Sequence, residues 1–249
     1  MIRLVVMLAL GIQICIGQNI AAGNYSWPQK LDKSASEKSG SMISGKANAL
    51  EQLNVIAHSV NAGQSLEFND LFERVIFIRS GTASVSMKDS TWSVGRGSVI
   101  IIMPDEPTAI SNHTSSEITF HEMKYKSKLP VEIDRGKLAG GSFVVDWNKT
   151  VFKPHERGGV RSFFNRPTAM SKRFEMHVTT LNGNTSSHEP HTHAAEEIIL
   201  LLEGEADMLI GDKHYQAKAG DLFFVPTQLL HGIKNISPSQ CSYYAYQWE

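Results

Sequence analysis

The sequence predicts an all-β chain made of two related barrels or sandwiches. Short runs of β-branched and aromatic residues, bounded by turn residues, recur along it, and few long segments show the 3.6-residue period of a helix. A second observation is an internal repeat, in which a glycine-bounded hairpin is followed by an apolar strand and a proline. A repeated set of strands favours two copies of one β architecture.

The repeat consists of two segments of equal length. GTASVSMKDSTWSVGRG occupies residues 81–97, and GEADMLIGDKHYQAKAG occupies residues 204–220. Each segment has a polar turn near its middle, and the apolar strand that follows ends at Pro104 or Pro226. The offset between the halves is 123 residues and becomes 122 at the proline. Such near-constant spacing indicates that the strands of the two halves correspond one to one.

Length and charge restrict the classes of function. The chain has 249 residues, 41% hydrophobic and 20% charged, which is enough for one large or two small cores. Lys and Arg number 24 against 25 acidic residues, and no basic cluster is present in the sequence. The sequence therefore gives no electrostatic case for binding nucleic acid or an anionic membrane surface.

The N-terminus is typical of a signal peptide, which we assign to residues 1–17. Arg3 is followed by LVVMLALGIQICI and then by small and polar residues. This apolar run is shorter than the roughly 20 residues of a membrane span, although a buried helix or an anchor is the alternative. We expect an exported protein, periplasmic or secreted, with no membrane span in the mature chain. Cys241 would then be its single cysteine, without an intramolecular disulfide.

Composition divides the mature chain into four segments. Residues 18–53 are polar and rich in Ser and Lys, which predicts an irregular N-terminal arm. Residues 54–134 hold the first set of strands. Residues 135–167, rich in Gly, Pro and charge, are predicted to be a linker, and residues 168–249 hold the second set of strands.

The stretch HEPHTHAAEEIILLLEG contains the strongest chemical signal. In an extended segment His191, His193 and Glu197 leave the same face of one strand. Imidazole and carboxylate groups are suitable donors for a divalent transition metal, and manganese, iron, nickel and zinc all fit such a mixed set. His231, at the end of a second apolar run, offers a fourth donor. The predicted metal ligands are His191, His193, Glu197 and His231, with one or two coordination positions left open for water or substrate.

Other polar residues of this region receive different interpretations. Glu189 has the same parity as the ligands, so an extended strand would make it a candidate general acid or base, whereas Pro190 favours a loop at the rim. Glu196 points to the opposite face, and we expect it to be solvated. The remaining histidines are interpreted as structural: His58, His113, His121, His155, His177, His188 and His214.

Two motifs in the C-terminal half resemble those of the cupin family. The first is matched in register by His191, His193, Glu197 and Gly204. The second is matched by Gly220, Pro226, His231 and Asn235, with Gln228 at its internal glycine. The N-terminal half is similar only in its glycines, proline and strand pattern. The resemblance implies a bicupin, with two double-stranded β-helix (jelly-roll-like) barrels and metal in the second one.

The repeat offset predicts that the first barrel lacks the metal site. Shifting the four ligands back by 123 residues gives Phe68, Asp70, Arg74 and either Thr108 or Ala109. No local shift of this alignment restores a set of four ligands. We therefore expect close to one metal per chain.

The resemblance does not select one reaction, because bicupins include oxalate decarboxylases, ureidoglycine aminohydrolases, quercetin dioxygenases and sugar-acid isomerases. The aminohydrolases present E-x-H-x3-H and a glutamine, whereas this chain has H-x-H-x3-E and a histidine. The expected function is a metal-dependent enzyme of oxidoreductase, lyase or isomerase type. It would act on a small oxygen-rich molecule, such as an organic acid or a sugar derivative. The alternatives are a non-catalytic, metal-dependent binding protein for a small ligand and a purely structural role. The sequence leaves a homo-oligomer open.

Overall fold

The computed structural model describes residues 17–33 and 37–249. The predicted signal peptide, except for Gly17, lies outside the described residues. Among the residues that are described, no helix has the length and apolar character needed to cross a membrane.

The described chain consists mainly of antiparallel strands. Those of the N-terminal part are β1 (Gly23–Tyr25), β2 (Asp32–Lys33), β3 (Glu37–Gly45), β4 (Leu50–Val60), β5 (Ser65–Phe68), β6 (Glu73–Ser80), β7 (Ala83–Met87), β8 (Ser90–Val94), β9 (Val99–Ile102), β10 (Thr108–Ser111) and β11 (Ile118–Ser127). Helix α1 (Ile133–Leu138) and a 3-10 turn (Trp147–Lys149) flank β12 (Phe143–Val145). The C-terminal strands are β13 (Lys153–His155), β14 (Gly158–Arg166), β15 (Phe174–Leu181), β16 (Glu196–Glu203), β17 (Glu205–Ile210), β18 (Lys213–Lys218), β19 (Leu222–Val225), β20 (His231–Asn235) and β21 (Cys241–Trp248). The prediction of an all-β fold is confirmed.

The two halves have corresponding sheets. A seven-stranded sheet in the order β12-β9-β6-β11-β4-β3-β2 accompanies a four-stranded sheet, β5-β10-β7-β8. In the other half the order β1-β19-β16-β21-β15-β14-β13 accompanies a three-stranded sheet, β18-β17-β20. The hydrogen-bonded ladders leave each sheet open, so closure into two barrels stays a prediction.

The repeated glycines have the same backbone conformation in both halves. Gly81 and Gly204 have φ values of 79° and 80°, and Gly97 and Gly220 have values of 88° and 96°. Residues with a side chain are strained in this left-handed region, so glycine is favoured at all four positions. The repeat in the sequence therefore corresponds to a repeat in the turns.

The prediction of an irregular arm at residues 18–53 is wrong, because this segment supplies strands to both large sheets. β3 pairs along β4, and β1 pairs with β19 at the edge of the C-terminal sheet. The segment predicted as a linker, residues 135–167, also contains strands: β12 pairs with β9, and β14 pairs with β15. Backbone hydrogen bonds, which every residue except proline can donate, hold these strands, so a polar composition does not prevent pairing. The predicted domain boundaries remain predictions.

Alternate residues of the large sheets enter different cores. One hydrophobic cluster contains side chains from both seven-stranded sheets and joins the two halves. Within it, the ring of Phe77 lies 5.1 Å from that of Tyr244 and 4.9 Å from that of Tyr246, between centroids. Each half also has a hydrophobic cluster of its own, which lies between its large and small sheets. Because each large side chain buried this way contributes about 1.5–3 kcal/mol, the cores fix the sheets that carry the site.

Candidate metal centre

Backbone pairing brings two of the predicted ligands together. His191 and His231 form an antiparallel bridge, in which each backbone N–H donates to the other residue's carbonyl at 2.9 Å. Gln228, which replaces the glycine of the cupin motif, has a φ of 60° and donates its N–H to the carbonyl of His193 at 2.8 Å. The turn before β20 thus returns the chain to the loop that carries His191 and His193.

The four predicted ligands converge. One ring nitrogen from each of His191, His193 and His231 can be chosen so that all three lie within 4.8 Å of one another. The Glu197 carboxylate lies 3.4 Å from Nε2 of His231 and 3.6 Å from Nε2 of His193. The three imidazoles form one group, and the Glu197 carboxylate adjoins two of them. Together they make a donor set suited to a first-row divalent metal.

Hydrogen bonds orient two of the imidazoles. Nδ1 of His231 lies 2.8 Å from the Leu229 carbonyl, and Nδ1 of His193 lies 2.9 Å from the Ala195 carbonyl. Because a carbonyl oxygen only accepts, Nδ1 carries the proton and Nε2 presents its lone pair. The buried Nε2 of His231 has no hydrogen-bond partner in the described part of the chain. A buried nitrogen of this kind fits a metal ligand held by an outer hydrogen bond.

Glu197 is ionised within the site. Burial opposes ionisation, but the imidazoles of His193 and His231, which face the carboxylate, and the amide of Gln247 outweigh it and lower the pKa of Glu197 to about 2. Gln247 donates its amide to Oε1 of Glu197 at 3.1 Å. Gln247 was not predicted from the sequence, although an amide among the aromatic residues of YYAYQW is the signal that could have found it. A carboxylate held in this way is ready to bind a cation.

The structure corrects the route by which the ligands meet. β16 begins at Glu196, so His191 and His193 do not belong to the strand that carries Glu197. They lie in the preceding loop, and the His191–His231 bridge orients that loop. The three residues therefore do not come together by sharing one face of a strand, which is what their odd-numbered spacing had predicted.

The expectation of a solvated Glu196 is wrong, because this side chain is only 2% exposed. Its carboxylate accepts hydrogen bonds from the N–H groups of Asn48 and Ala49, at 2.5 and 2.9 Å, and from Trp248 Nε1 at 3.2 Å. Glu196 faces the core between the halves, where it fixes the chain before β4. The prediction that Glu196 and Glu197 point to opposite faces of β16 was correct, but the face that carries Glu196 is covered by the other half of the protein.

Glu189 lies in a bend and is exposed, and it is not among the residues that line the cavity of the site. The extended strand on which its candidate role depended is absent from this part of the described chain. We expect Glu189→Gln to leave metal content and ligand affinity unchanged within about twofold, since exposed substitutions away from special contacts have small effects. Metal analysis and calorimetry of the variant would check this. A loss of metal or of ligand affinity would show that Glu189 takes part in the site.

A cavity of about 270 Å³ adjoins three of the four residues, His191, Glu197 and His231. His155, His177 and His188, which were interpreted as structural, also line it. The sequence could not place them there, because β13 and β15 reach the cavity only through pairing within the C-terminal sheet. The cavity therefore contains more imidazole than the motifs indicated.

The N-terminal half has a buried ion-pair cluster at the corresponding position. Arg74, which corresponds to Glu197 by the repeat offset, donates Nε to Glu122 at 2.6 Å and forms two hydrogen bonds with Asp70. His58 lies between Glu122 and Glu37, at 2.8 and 2.7 Å. Within residues 17–33 and 37–249, the three histidines of the other half are the only group of three or more His, Cys, Asp or Glu side chains whose ligand atoms lie close enough together to share a metal ion.

This ion-pair cluster makes stability depend on pH. Burial disfavours the charged imidazole of His58, but hydrogen bonds to Glu122 and Glu37 outweigh it and raise its pKa. The contribution of His58 to stability is therefore full below the unfolded pKa of about 6.5 and is lost as pH rises through the higher folded value. We expect His58→Gln to lower the urea midpoint more at pH 5.5 than at pH 9. An equal effect at both pH values would contradict this assignment, and His113→Gln, at an exposed position, is the control.

Comparisons with known proteins agree with this fold. Residues 177–246 match the family model described as a cupin domain. The match covers most of the half that holds the four residues. No curated protein matches the chain.

Solved structures are similar over most of the chain. AerE from Microcystis aeruginosa has a TM-score of 0.67 and 14% identity, covering 90% of this chain and 98% of its own. The formate complex of oxalate decarboxylase from Lactobacillus farciminis has a TM-score of 0.71 and 13% identity, with 92% and 86% covered. Oxalate decarboxylase from Bacillus subtilis, described with Mn(II) centres, has a TM-score of 0.69 and 12% identity, with 91% and 77% covered. At these identities the likeness concerns the fold, and with the family match it supports the cupin superfamily.

Proposed function

We propose that this protein is a metal-dependent cupin that binds and transforms a small oxygen-rich molecule, such as an organic acid. The observation that carries the proposal is the buried Nε2 of His231, which has no hydrogen-bond partner in the described chain and lies beside two further imidazoles and the ionised Glu197. The solved oxalate decarboxylases, one with formate and one with Mn(II) centres, support this direction through their fold. The metal would be manganese, iron, nickel or zinc.

The residues of this chain have separable roles in the proposal. His191, His193, Glu197 and His231 hold the metal, and Gln247 orients the Glu197 carboxylate. When bound, the metal supplies a Lewis acid that polarises a carboxylate or carbonyl oxygen. The apolar side chains of the cavity, such as Ile199 and Ile233, exclude water from the bound ligand. Exclusion of water strengthens the electrostatic interactions in the site.

The experiment is metal analysis of the purified protein together with turnover assays on the acids that bind it. We expect a tightly held divalent metal, and turnover of at least one small acid whose affinity falls by about tenfold or more on chelation. Bound acids without turnover would leave the alternative, a non-catalytic protein that uses the metal to anchor its ligand. Purification without metal, and no uptake from any of the four metals, would contradict both functions.

We also propose that the two halves are two cupin barrels and that metal occupies the second one alone. Corresponding strand orders and the repeated glycine conformations support two barrels. The Arg74 ion pairs support a first barrel without metal, because a buried guanidinium repels a cation. We expect close to one metal per chain by elemental analysis. A ratio near two would contradict this proposal, and His58 and Glu122 would be the first residues to test.

Export is a proposal that rests on the N-terminal sequence. A basic residue followed by an apolar run and small residues supports removal of residues 1–17. N-terminal sequencing of the protein from its native source is expected to begin near Gln18. An intact Met1 on the protein inside the cell would contradict export.

A further inference from the structure

The cavity beside His191, Glu197 and His231 limits the size of its ligand. Its volume of about 270 Å³ lies just below the range of ~300–1,000 Å³ that is common for small-molecule sites. Much of its wall is apolar, formed by Val160, Leu181, Ile199, Met208, Ile233 and Ala245. The ligand that fits is therefore compact and has an apolar body.

The charge of the lining limits the charge of the ligand. Three neutral imidazoles, one carboxylate and a divalent cation carry a net charge of +1, which one anionic group neutralises. Neither lysine nor arginine is among the described residues that line the cavity. A second carboxylate placed against the apolar part of the wall, at Ile199 and Met208, would be buried without a cationic side chain beside it. Burial of an unpaired charge is costly.

One hydroxyl of the lining is available to a ligand. Ser187 Oγ is buried and has no hydrogen-bond partner within the described chain, although it lies near the Tyr243 hydroxyl. Thr179 also lies beside the Tyr243 hydroxyl in the cavity wall. Buried hydroxyls normally have a partner, so one oxygen of the ligand is expected here.

We infer that the site takes a 2-oxo or 2-hydroxy monocarboxylate with a short aliphatic side chain, in preference to dicarboxylates. This inference rests on the proposed metal site and narrows its substrate class. The two adjacent oxygens of such an acid would chelate the metal, and its single charge would balance the site. Its aliphatic end would pack on Ile199 and Met208.

The test compares two acids that share one chelating group and have nearly the same size. Calorimetry on the metal-loaded protein measures the Kd of 4-methyl-2-oxopentanoate and of 2-oxoglutarate, which has a second carboxylate in place of the isopropyl group. The measurements are made at pH 8, because imidazole ordinarily loses its proton near pH 6.5. We expect the monocarboxylate to bind at least about tenfold more tightly. Equal affinities, tighter binding of 2-oxoglutarate, or binding of neither acid would overturn the inference.

A substitution at the half-buried Val160 tests the electrostatic reason. Val160→Lys places a cation in the lining and is expected to improve the relative affinity for 2-oxoglutarate by about fivefold or more. Val160→Met, similar in length and neutral, is the control and should leave the ratio of affinities unchanged. An unchanged ratio in Val160→Lys would refute the charge argument.

Failure of this inference and failure of the proposed function give different results. Metal content is measured first, by elemental analysis. A protein that takes up no metal refutes the proposed function and the inference together. A metal-loaded protein that binds dicarboxylates as well as monocarboxylates refutes the inference alone.

Discussion

Replacing His193 by alanine, or Glu197 by alanine, is expected to remove most of the bound metal and to lower Tm by about 5–10 °C. A ligand present at about 100 times its Kd stabilises the folded state by about 2.7 kcal/mol, and this contribution is lost with the metal. For a chain of this size, 1 kcal/mol corresponds to about 2–4 °C. Elemental analysis and thermal unfolding measure the two effects.

The control for this prediction is the exposed His113, whose replacement by alanine should leave metal content and Tm unchanged. Chelation distinguishes metal loss from damage to the fold. The Tm of the wild-type protein in chelator should fall close to that of the His193 variant, while the variant itself should show no further loss. If the site variants and the control retain the same amount of metal, the ligand assignment is wrong.

Replacing Arg74 by methionine is expected to destabilise the protein by about 3–5 kcal/mol, because it leaves Glu122 buried without its guanidinium partner. The Arg74 and Glu122 side chains are each only 4% exposed, so solvent screening of this pair is small. Urea unfolding at pH 7 measures the change. Metal content per folded chain should be unaffected, because the cluster lies in the other half.

The double variant Arg74→Met with Glu122→Leu is the matched control. Replacing both members of a buried ion pair with apolar residues is often neutral or stabilising, so most of the lost stability should return. His58 would then keep Glu37 as its carboxylate partner. A double variant less stable than Arg74→Met alone would mean that this cluster is not an isolated electrostatic unit.

Much of the candidate site was predictable because its signals are local. The H-x-H-x3-E spacing and the second histidine before a turn identified four residues that the fold brings to one place. Glycines at repeated positions indicated two related halves, since a left-handed turn restricts the residue type wherever it occurs. The apolar runs likewise predicted central strands such as β16 and β19.

Other features of the site depended on contacts that are distant in sequence. Glu196 is buried because Asn48 and Ala49, about 150 residues earlier in the chain, donate to it. His155 and His177 line the cavity because of the way β13, β14 and β15 pair. No local sequence pattern encodes these neighbours. The sequence around an isolated histidine does not show whether that residue lies in a core, at the surface or in a cavity.

The sequence by itself determined the all-β class, the repeat and the identity of the residues that converge at the candidate site, because alternation, turn glycines and motif spacing are properties of neighbouring residues. Only the tertiary structure decided that the N-terminal segment crosses to the C-terminal sheet and that Arg74 is paired where Glu197 would correspond. Edge strands pair through backbone groups that every residue carries, and a buried charge is tolerated only with a partner supplied by another strand. Both depend on the folded chain and not on local composition.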